Sequence, residues 1–320
     1  MYLRRRRVNM VVRHLKYTIA SQDSQQYSYI NLARDLSAMN RQLFRQARMY
    51  KVKSITLIDD DESKYVQFGI AGDTWAMRNS VKRAYRRWNE MNDQVLAEQP
   101  ELKARWNDFK PYVSQGHYNV AVGGAGTVES PEDIQGNKVQ YGEWVHSVFE
   151  SPDGTTSADG YVVGILGDHL GTPGDGNMTY VGLIQSYGDA RGTISNQEPT
   201  VSVTAAADDP LVNLLDAGTQ FDEIVENIVQ EGDEPPYMLE KSGNYGGAYV
   251  GAANNLPDEL MVAELNSSSA TDGLQRIYNL DVPLGVIRID HATETGSTNF
   301  SIVIELAEGK YKGIHSESLV

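Results

Sequence analysis

A mainly β fold, an antiparallel sandwich or barrel, is what this sequence predicts, and three observations predict it. From about Gly116 onward, short runs of β-branched and aromatic residues recur between glycine-rich turns. Helical periods are scarce over the same stretch, and strands that numerous bury their apolar sides by packing sheet on sheet. Near the start, His14 to Ala20 alternates polar and apolar residues, the pattern of a strand with one buried face.

Taken in order, that first strand ends in a polar loop, Ser21 to Ser28. The period then lengthens. Tyr29, Leu32, Ala33, Leu36, Leu43 and Ala47 recur at helical spacing, with Arg34, Arg41, Arg45 and Arg48 together on another side, which predicts an amphipathic helix from about Tyr29 to Met49. Lys51 to Ile58 and Tyr65 to Ile70 have the composition of strands. Between them, Asp59, Asp60, Asp61 and Glu62 form an acidic turn that lacks the Gly and the later Glu of a calcium loop, so it reads as a solvated hairpin tip. Asp73 or Thr74 is a good N-cap for a second helix to about Glu98, with Met77, Val81, Ala84, Trp88, Met91 and Val95 as its apolar stripe. Arg78, Lys82 and Arg86 stack at four-residue intervals on that helix beside Arg83 and Arg87. Five cations so close repel one another unless something anionic lies alongside, although a solvated face explains them as simply.

Further strands are expected at 140–150, 160–166, 179–187, 200–205, 248–252, 260–265, 274–280, 284–290 and 299–306, with one short helix near 221–230. No segment approaches the roughly 18 consecutive apolar residues of a membrane span. A chain of 320 residues has room for one large domain or two smaller ones. With no cysteine there is neither disulfide nor thiolate chemistry, and the six histidines are isolated in sequence. Gly123, Gly124 and Gly126 stop short of a dinucleotide fingerprint because Glu129 stands where its third glycine belongs. No nucleophile elbow, phosphate loop or zinc-helix motif is present, so the expectation is a protein without enzymatic activity, cofactor or metal.

Charge is distributed unevenly. The chain carries a formal −15, yet residues 1–112 hold 21 Lys and Arg against 12 Asp and Glu, whereas residues 113–320 hold 7 against 31. The positive end opens with Arg4, Arg5, Arg6 and Arg7, fixed charges whose mutual repulsion a polyanion relieves. Too few apolar residues follow them for a secretory signal, since Arg13, His14 and Lys16 come at once. Nucleic-acid contact, a nuclear-localisation signal and a solvated tail remain as readings of the run. We divide the chain accordingly into a basic arm, 1–13, and a β-rich body, 14–320.

Several short segments carry a family resemblance. They are Arg87-Trp88-Asn89-Glu90-Met91-Asn92, Trp106-Asn107-Asp108-Phe109-Lys110, Glu234-Pro235-Pro236-Tyr237, Val282-Pro283-Leu284-Gly285-Val286-Ile287 and the stretch from Glu305 to Gly313. Together with the basic N-terminus, the chain resembles the capsid proteins of circular single-stranded DNA viruses that encode their own replication initiator. The resemblance implies an antiparallel jelly-roll β-sandwich with helical insertions in the N-terminal third, or, as an alternative, a double jelly roll. It implies a subunit that assembles with itself into an icosahedral shell, found in the virion and, during assembly, in the host nucleus or cytoplasm. Packaged nucleic acid, as single-stranded DNA, would meet Arg4, Arg5, Arg6, Arg7, Arg13 and Lys16. The arm here is short, four arginines where such proteins often carry a long tract. A secreted or surface β-sandwich that binds carbohydrate is the alternative function. A metal-dependent nucleic-acid-processing enzyme is a third, for which no particular Asp is selected by spacing.

Overall fold

The computed structural model describes residues 11–22, 24–59, 64–103, 107–152, 158–171, 179–192, 260–267, 274–293 and 298–320. Alternation makes the first strand, β1 (His14–Ser21), in which Leu15, Tyr17, Ile19 and Ser21 turn inward and His14, Lys16 and Ala20 outward. A second strand, β2 (Gln26–Asn31), runs directly into the helix α1 (Leu32–Asn40), whose first turn is capped by the Asn31 side chain accepting from the Arg34 N–H at 3.1 Å. Then come β3 (Arg48–Ile58) and β4 (Lys64–Ile70). Between β4 and the next long strand lies an excursion that carries α2 (Trp75–Glu98), a 3₁₀ turn at Pro100–Leu102, α3 (Gln115–Ala121), β5 (Thr127–Val128), β6 (Val148–Pro152), β7 (Ala158–Gly164), β8 (Tyr180–Gly182) and α4 (Leu183–Gly192). The chain closes with β9 (Leu260–Ser267), β10 (Leu274–Pro283), β11 (Val286–Thr293), β12 (Thr298–Leu306), β13 (Glu308–Gly309), β14 (Gly313–Ile314) and β15 (Ser316–Ser318).

The fold is mainly β. One sheet has the order β1-β12-β3-β10, with β15 added to the free end of β3, and the other has the order β5-β2-β11-β4-β9. Apart from the short β2–β5 contact, every pair in these two sheets is antiparallel. Their facing sides share one apolar cluster, with Leu15, Tyr17 and Ile19 of β1, Ile55 and Leu57 of β3, Phe68 of β4, Ile287 and Ile289 of β11 and Ile302 and Ile304 of β12 all buried. Each such side chain contributes on the order of 1.5–3 kcal/mol on leaving water. The two curled sheets and their shared core are compatible with a β-sandwich. A second cluster packs α2 and the excursion against the outside of the β2 sheet, joining Met77, Val81 and Ala84 to Phe109, Tyr29, Val286 and Leu319.

Several expectations hold. The strands predicted at 51–58, 65–70, 260–265, 274–280 and 299–306 are β3, β4, β9, β10 and β12, and Thr74 caps α2 by accepting from the Met77 N–H at 3.1 Å. The helix predicted from Tyr29 to Met49 does not form as such. Tyr29 and Ile30 pair with Arg288 and Ile287 of β11, Arg41 ends α1 in the left-handed conformation, and Arg48 already belongs to β3, so only nine residues are helical. Sheet pairing offered to β-favouring residues at both ends outweighs the helical period. The stretch 140–147 is likewise irregular and only Val148–Pro152 pairs, while 179–187 divides into β8 and the start of α4. The strands expected at 200–205 and 248–252 and the helix near 221–230 lie outside the described residues.

The turn from β10 to β11 changes sheets in two residues, Leu284 at φ +55° and Gly285 at φ +68°. A Cβ at Gly285 would stand 2.9 Å from the ring of Tyr50, so both the backbone and the space favour glycine. Replacing it, as Gly285→Ala, is expected to cost about 1–3 kcal/mol of unfolding free energy. Urea titration that finds the variant as stable as the parent would remove this turn from the determinants of the fold.

Candidate nucleic-acid interface

The site grows from the C-terminal hairpin. β13 and β14 pair through Glu308 with Ile314 and Gly309 with Gly313, which lifts Tyr311 and Lys312 to the tip, Lys312 at φ +50°. Tyr311 meets Phe44 edge to face at 5.9 Å. Two cations lie over that ring, and a third basic residue meets its hydroxyl through the backbone. The Arg48 guanidinium lies 3.8 Å over it, fixed by hydrogen bonds to Ser316 Oγ (3.1 Å) and the Ser316 carbonyl (2.8 Å). Lys312 Nζ is 5.9 Å from the ring centroid and donates to the Leu43 carbonyl. The Arg45 N–H donates to the Tyr311 hydroxyl at 3.0 Å, leaving its side chain 56% exposed. Burial and then the neighbouring Arg45 push the Lys312 ammonium below its ordinary pKa. The Arg45 part of that shift is repulsion between like charges, partly offset by Asp108, and an anion would relieve it.

A cleft of ≈ 720 Å³ adjoins this cluster. Its walls come from α1 (Arg34, Ser37, Ala38, Arg41), from Leu43, from Trp88 of α2, and from the segments 107–110 and 141–148. Leu43 and Asp108 belong to both features, since Arg45 Nε stands 4.0 Å from Asp108 Oδ1. Cations and rings alternate along the walls. Arg34 lies 4.2 Å over the ring of Tyr141, a residue still 44% exposed, and Lys110 Nζ lies 5.2 Å over Trp144. Lys110 is buried, and burial lowers its pKa against the opposing pull of Asp108 and Glu143. Asp108 is pushed up by the same burial, against the opposing pull of Arg45 and Lys110. His146 stacks on Tyr112 with centroids 3.7 Å apart, its Nδ1 3.1 Å from the Lys110 carbonyl.

Beneath the cleft sits a buried network. Arg34 Nε donates to Asp35 Oδ1 at 2.8 Å, Tyr17 donates to Asp35 Oδ2 at 2.8 Å, and Arg34 Nη2 donates to the Glu129 carbonyl. Burial outweighs Arg34 and raises the Asp35 carboxyl to about 6.

The sequence-derived residues fall in different places. Arg4, Arg5, Arg6 and Arg7 lie outside the described residues. Arg13 pairs with Glu308 at 3.1 Å, and Lys16 with the buried Glu132 at 3.1 Å, so both cations already have carboxylate partners in their own chain. The supposed stripe Arg34, Arg41, Arg45 and Arg48 is not a helix face, but Arg34 and Arg41 border the cleft and Arg45 and Arg48 flank Tyr311. On α2, Arg78 is paired with Asp73 and Glu317 and Arg87 with Glu90, whereas Lys82, Arg83 and Arg86 are exposed with no ion-pair partner among the described residues. Tyr311, Lys312, Tyr141 and Trp144 carried no individual signal in the sequence beyond the aromatic and basic flavour of their segments. Of the acidic turn, Asp59 is buried and the other three residues lie outside the description. Among the described residues no group of three or more His, Asp or Glu side chains could hold a metal ion, and no helix is long and apolar enough to cross a membrane. Neither a protein-family model, nor a curated protein, nor a solved structure matches the chain.

Titration of the buried groups sets a pH dependence. His146 is pushed down to about 4 by burial, whereas in the unfolded chain the ring takes up a proton near its ordinary 6.5. Between those values the unfolded state binds more protons, so stability falls as pH drops from 6.5 toward 4, and His117 acts in the same direction. Asp35 acts with opposite sign between 3.8 and about 6, its contribution fading as pH rises. His146→Gln should therefore flatten the urea-derived stability profile between pH 4.5 and 6.5 by up to about 1.4 kcal/mol per pH unit. An unchanged slope would mean that this imidazole is not held neutral.

Proposed function

We propose that the chain is a capsid subunit: a jelly-roll protein that assembles with itself into an icosahedral shell and holds single-stranded DNA through its basic N-terminal arm. The observation that carries the reading is the nesting of strand pairs. Counting β1–β4 and β9–β12 as first to eighth, the first pairs with the eighth, the second with the seventh, the third with the sixth and the fourth with the fifth. One long antiparallel hairpin has that pairing. Rolling it brings β12 onto β3 and β11 onto β4, which yields the observed sheet orders β1-β12-β3-β10 and β2-β11-β4-β9. Nested pairing in two such sheets supports the jelly-roll reading, the architecture of viral capsid and lectin domains.

Charge favours the capsid branch of that pair. Residues 12 and 13 are tied to the body, the Val12 N–H donating to Asn40 Oδ1 at 2.8 Å and the Leu306 N–H donating to the Arg13 carbonyl at 2.9 Å. Val11 lies against Gly313, next to Lys312, and Arg7 is only four residues upstream, within about 14 Å by chain length. The arm and the Tyr311 cations can therefore engage the same strand. In a closed shell, symmetry multiplies a modest cluster of this kind into a dense lining. A second reading, a carbohydrate-binding module, draws on the exposed Tyr141 ring beside Asp108 and Glu143 in the cleft.

In negative-stain images the purified chain should form uniform spherical particles. Replacing Arg4, Arg5, Arg6 and Arg7 together by Gln should leave the particles and lower their 260/280 absorbance ratio. A chain that sediments as a monomer and binds glycan regardless of salt would establish the second reading instead.

A further inference from the structure

We infer that the cleft and the Tyr311 cluster form one binding site for a nucleotide unit of a single strand, with a base stacked on Tyr141 and the backbone phosphate held at the rim by Arg45 and Lys312. The inference rests on the capsid reading for the identity of the strand, but its geometry does not depend on shell formation. The volume of ≈ 720 Å³ accommodates a base and its sugar, since ligand pockets of this kind run from about 300 to 1,000 Å³. Tyr141 offers the platform. Arg34 covers one face, fixes the ring at 4.2 Å and is itself held from below by Asp35, so the platform is preorganised while 44% of the residue stays open to a ligand. Stacking on such a ring tolerates any base.

Two further features point to a ligand rather than to a merely solvated hollow. Trp144 lines the cleft, and its indole N–H is buried with no acceptor among the described residues, a donor that a base carbonyl or phosphate oxygen could satisfy. At the rim, Arg45 and Lys312 are both exposed and repel one another, Arg45 Nε standing 4.0 Å from Asp108 on the cleft wall and Lys312 Nζ donating to the Leu43 carbonyl. A phosphate there would relieve that repulsion, and its position beside Leu43 would leave the attached sugar and base to enter the cleft.

The test uses the full chain with Arg4, Arg5, Arg6 and Arg7 replaced by Gln, so that the arm does not mask the site, and a fluorescein-labelled oligo(dT) read by anisotropy. The arm-neutral protein should still bind. Tyr141→Ala should weaken that binding about tenfold and Tyr141→Phe should restore it. Arg45→Gln with Lys312→Gln should lower the log–log salt slope by about 0.7, the share of one phosphate contact on a single strand. Thermal melting on the same samples shows whether each variant is folded, and Tyr141→Phe, which leaves the ring in place, guards against a loss that is only structural. An arm-neutral protein that does not bind, or binding indifferent to Tyr141 and to the rim pair, would overturn the inference. Shell formation is scored separately by microscopy. Particles without Tyr141-dependent binding sink the site and spare the capsid reading, and Tyr141-dependent binding by a chain that forms no particles does the reverse.

Discussion

The interaction on which most of this molecule depends is the buried contact among Tyr17, Arg34 and Asp35. Tyr17 comes from the middle of the sandwich core, Asp35 and Arg34 from the helix that follows β2, and Arg34 continues to the carbonyl of Glu129 in the excursion and to the ring of Tyr141. One guanidinium thus ties three parts of the chain. Removing either partner of such a pair leaves a charge stranded in a dry interior, at a cost of about 3–5 kcal/mol. The arrangement also explains the raised Asp35 carboxyl: burial costs the ionised form more than Arg34 and Tyr17 return to it. What the contact contributes beyond stability is placement, because the cleft floor and the Tyr141 platform both hang on Arg34.

The topology gives that placement its meaning. The nested sheets supply a rigid body, while the long excursion after β4 packs its own cluster on the outside of the β2 sheet and supplies the opposite wall of the cleft. Recognition on irregular segments braced by a stiff scaffold is the usual division in β proteins. Segment 141–147, too irregular to be a strand, is braced in this way by Ser147 Oγ accepting from the Lys110 N–H at 2.9 Å and by the stacking of His146 on Tyr112. Its irregularity is therefore compatible with a fixed geometry.

The sandwich strands were largely legible in the sequence because alternation is a local signal: every second residue of β1, β11 and β12 faces the core. Thr74 and the stripe Met77, Val81 and Ala84 announced α2 for the same reason. The stretch from Tyr29 to Met49 misled because its apolar spacing fits a helix, while its fate was decided by partners more than 200 residues away in β10 and β11. No local rule sees such partners. The site was legible only as a class of residues. An excess of arginine in the first third was visible, but that Arg45 and Arg48 would meet Tyr311 and Lys312 requires the C-terminal hairpin to fold back across the start of β3, as the pairing of β15 with Arg48, Met49 and Tyr50 arranges. Lys16 shows the converse: a cation conspicuous in the sequence is occupied by Glu132, whose backbone N–H also bonds the Lys16 carbonyl at 2.8 Å.

A formal charge of −15 would argue against any polyanion as a partner if charge acted as a whole. It does not. At physiological ionic strength the field of an exposed charge fades within about 8 Å, so a phosphate at the Tyr311 rim responds to Arg45, Arg48 and Lys312 and hardly to carboxylates elsewhere on the body. A carboxylate that does intrude is Asp108, which sits 4.0 Å from Arg45 with its own pKa raised by burial. It also holds Arg45 beside the cleft wall, since Arg45 Nε stands 4.0 Å from its Oδ1. Distributed negative charge keeps copies of the body apart in dilute solution, while under the proposed reading the short-range positive cluster would hold an anionic strand. The two are compatible because screening separates their ranges.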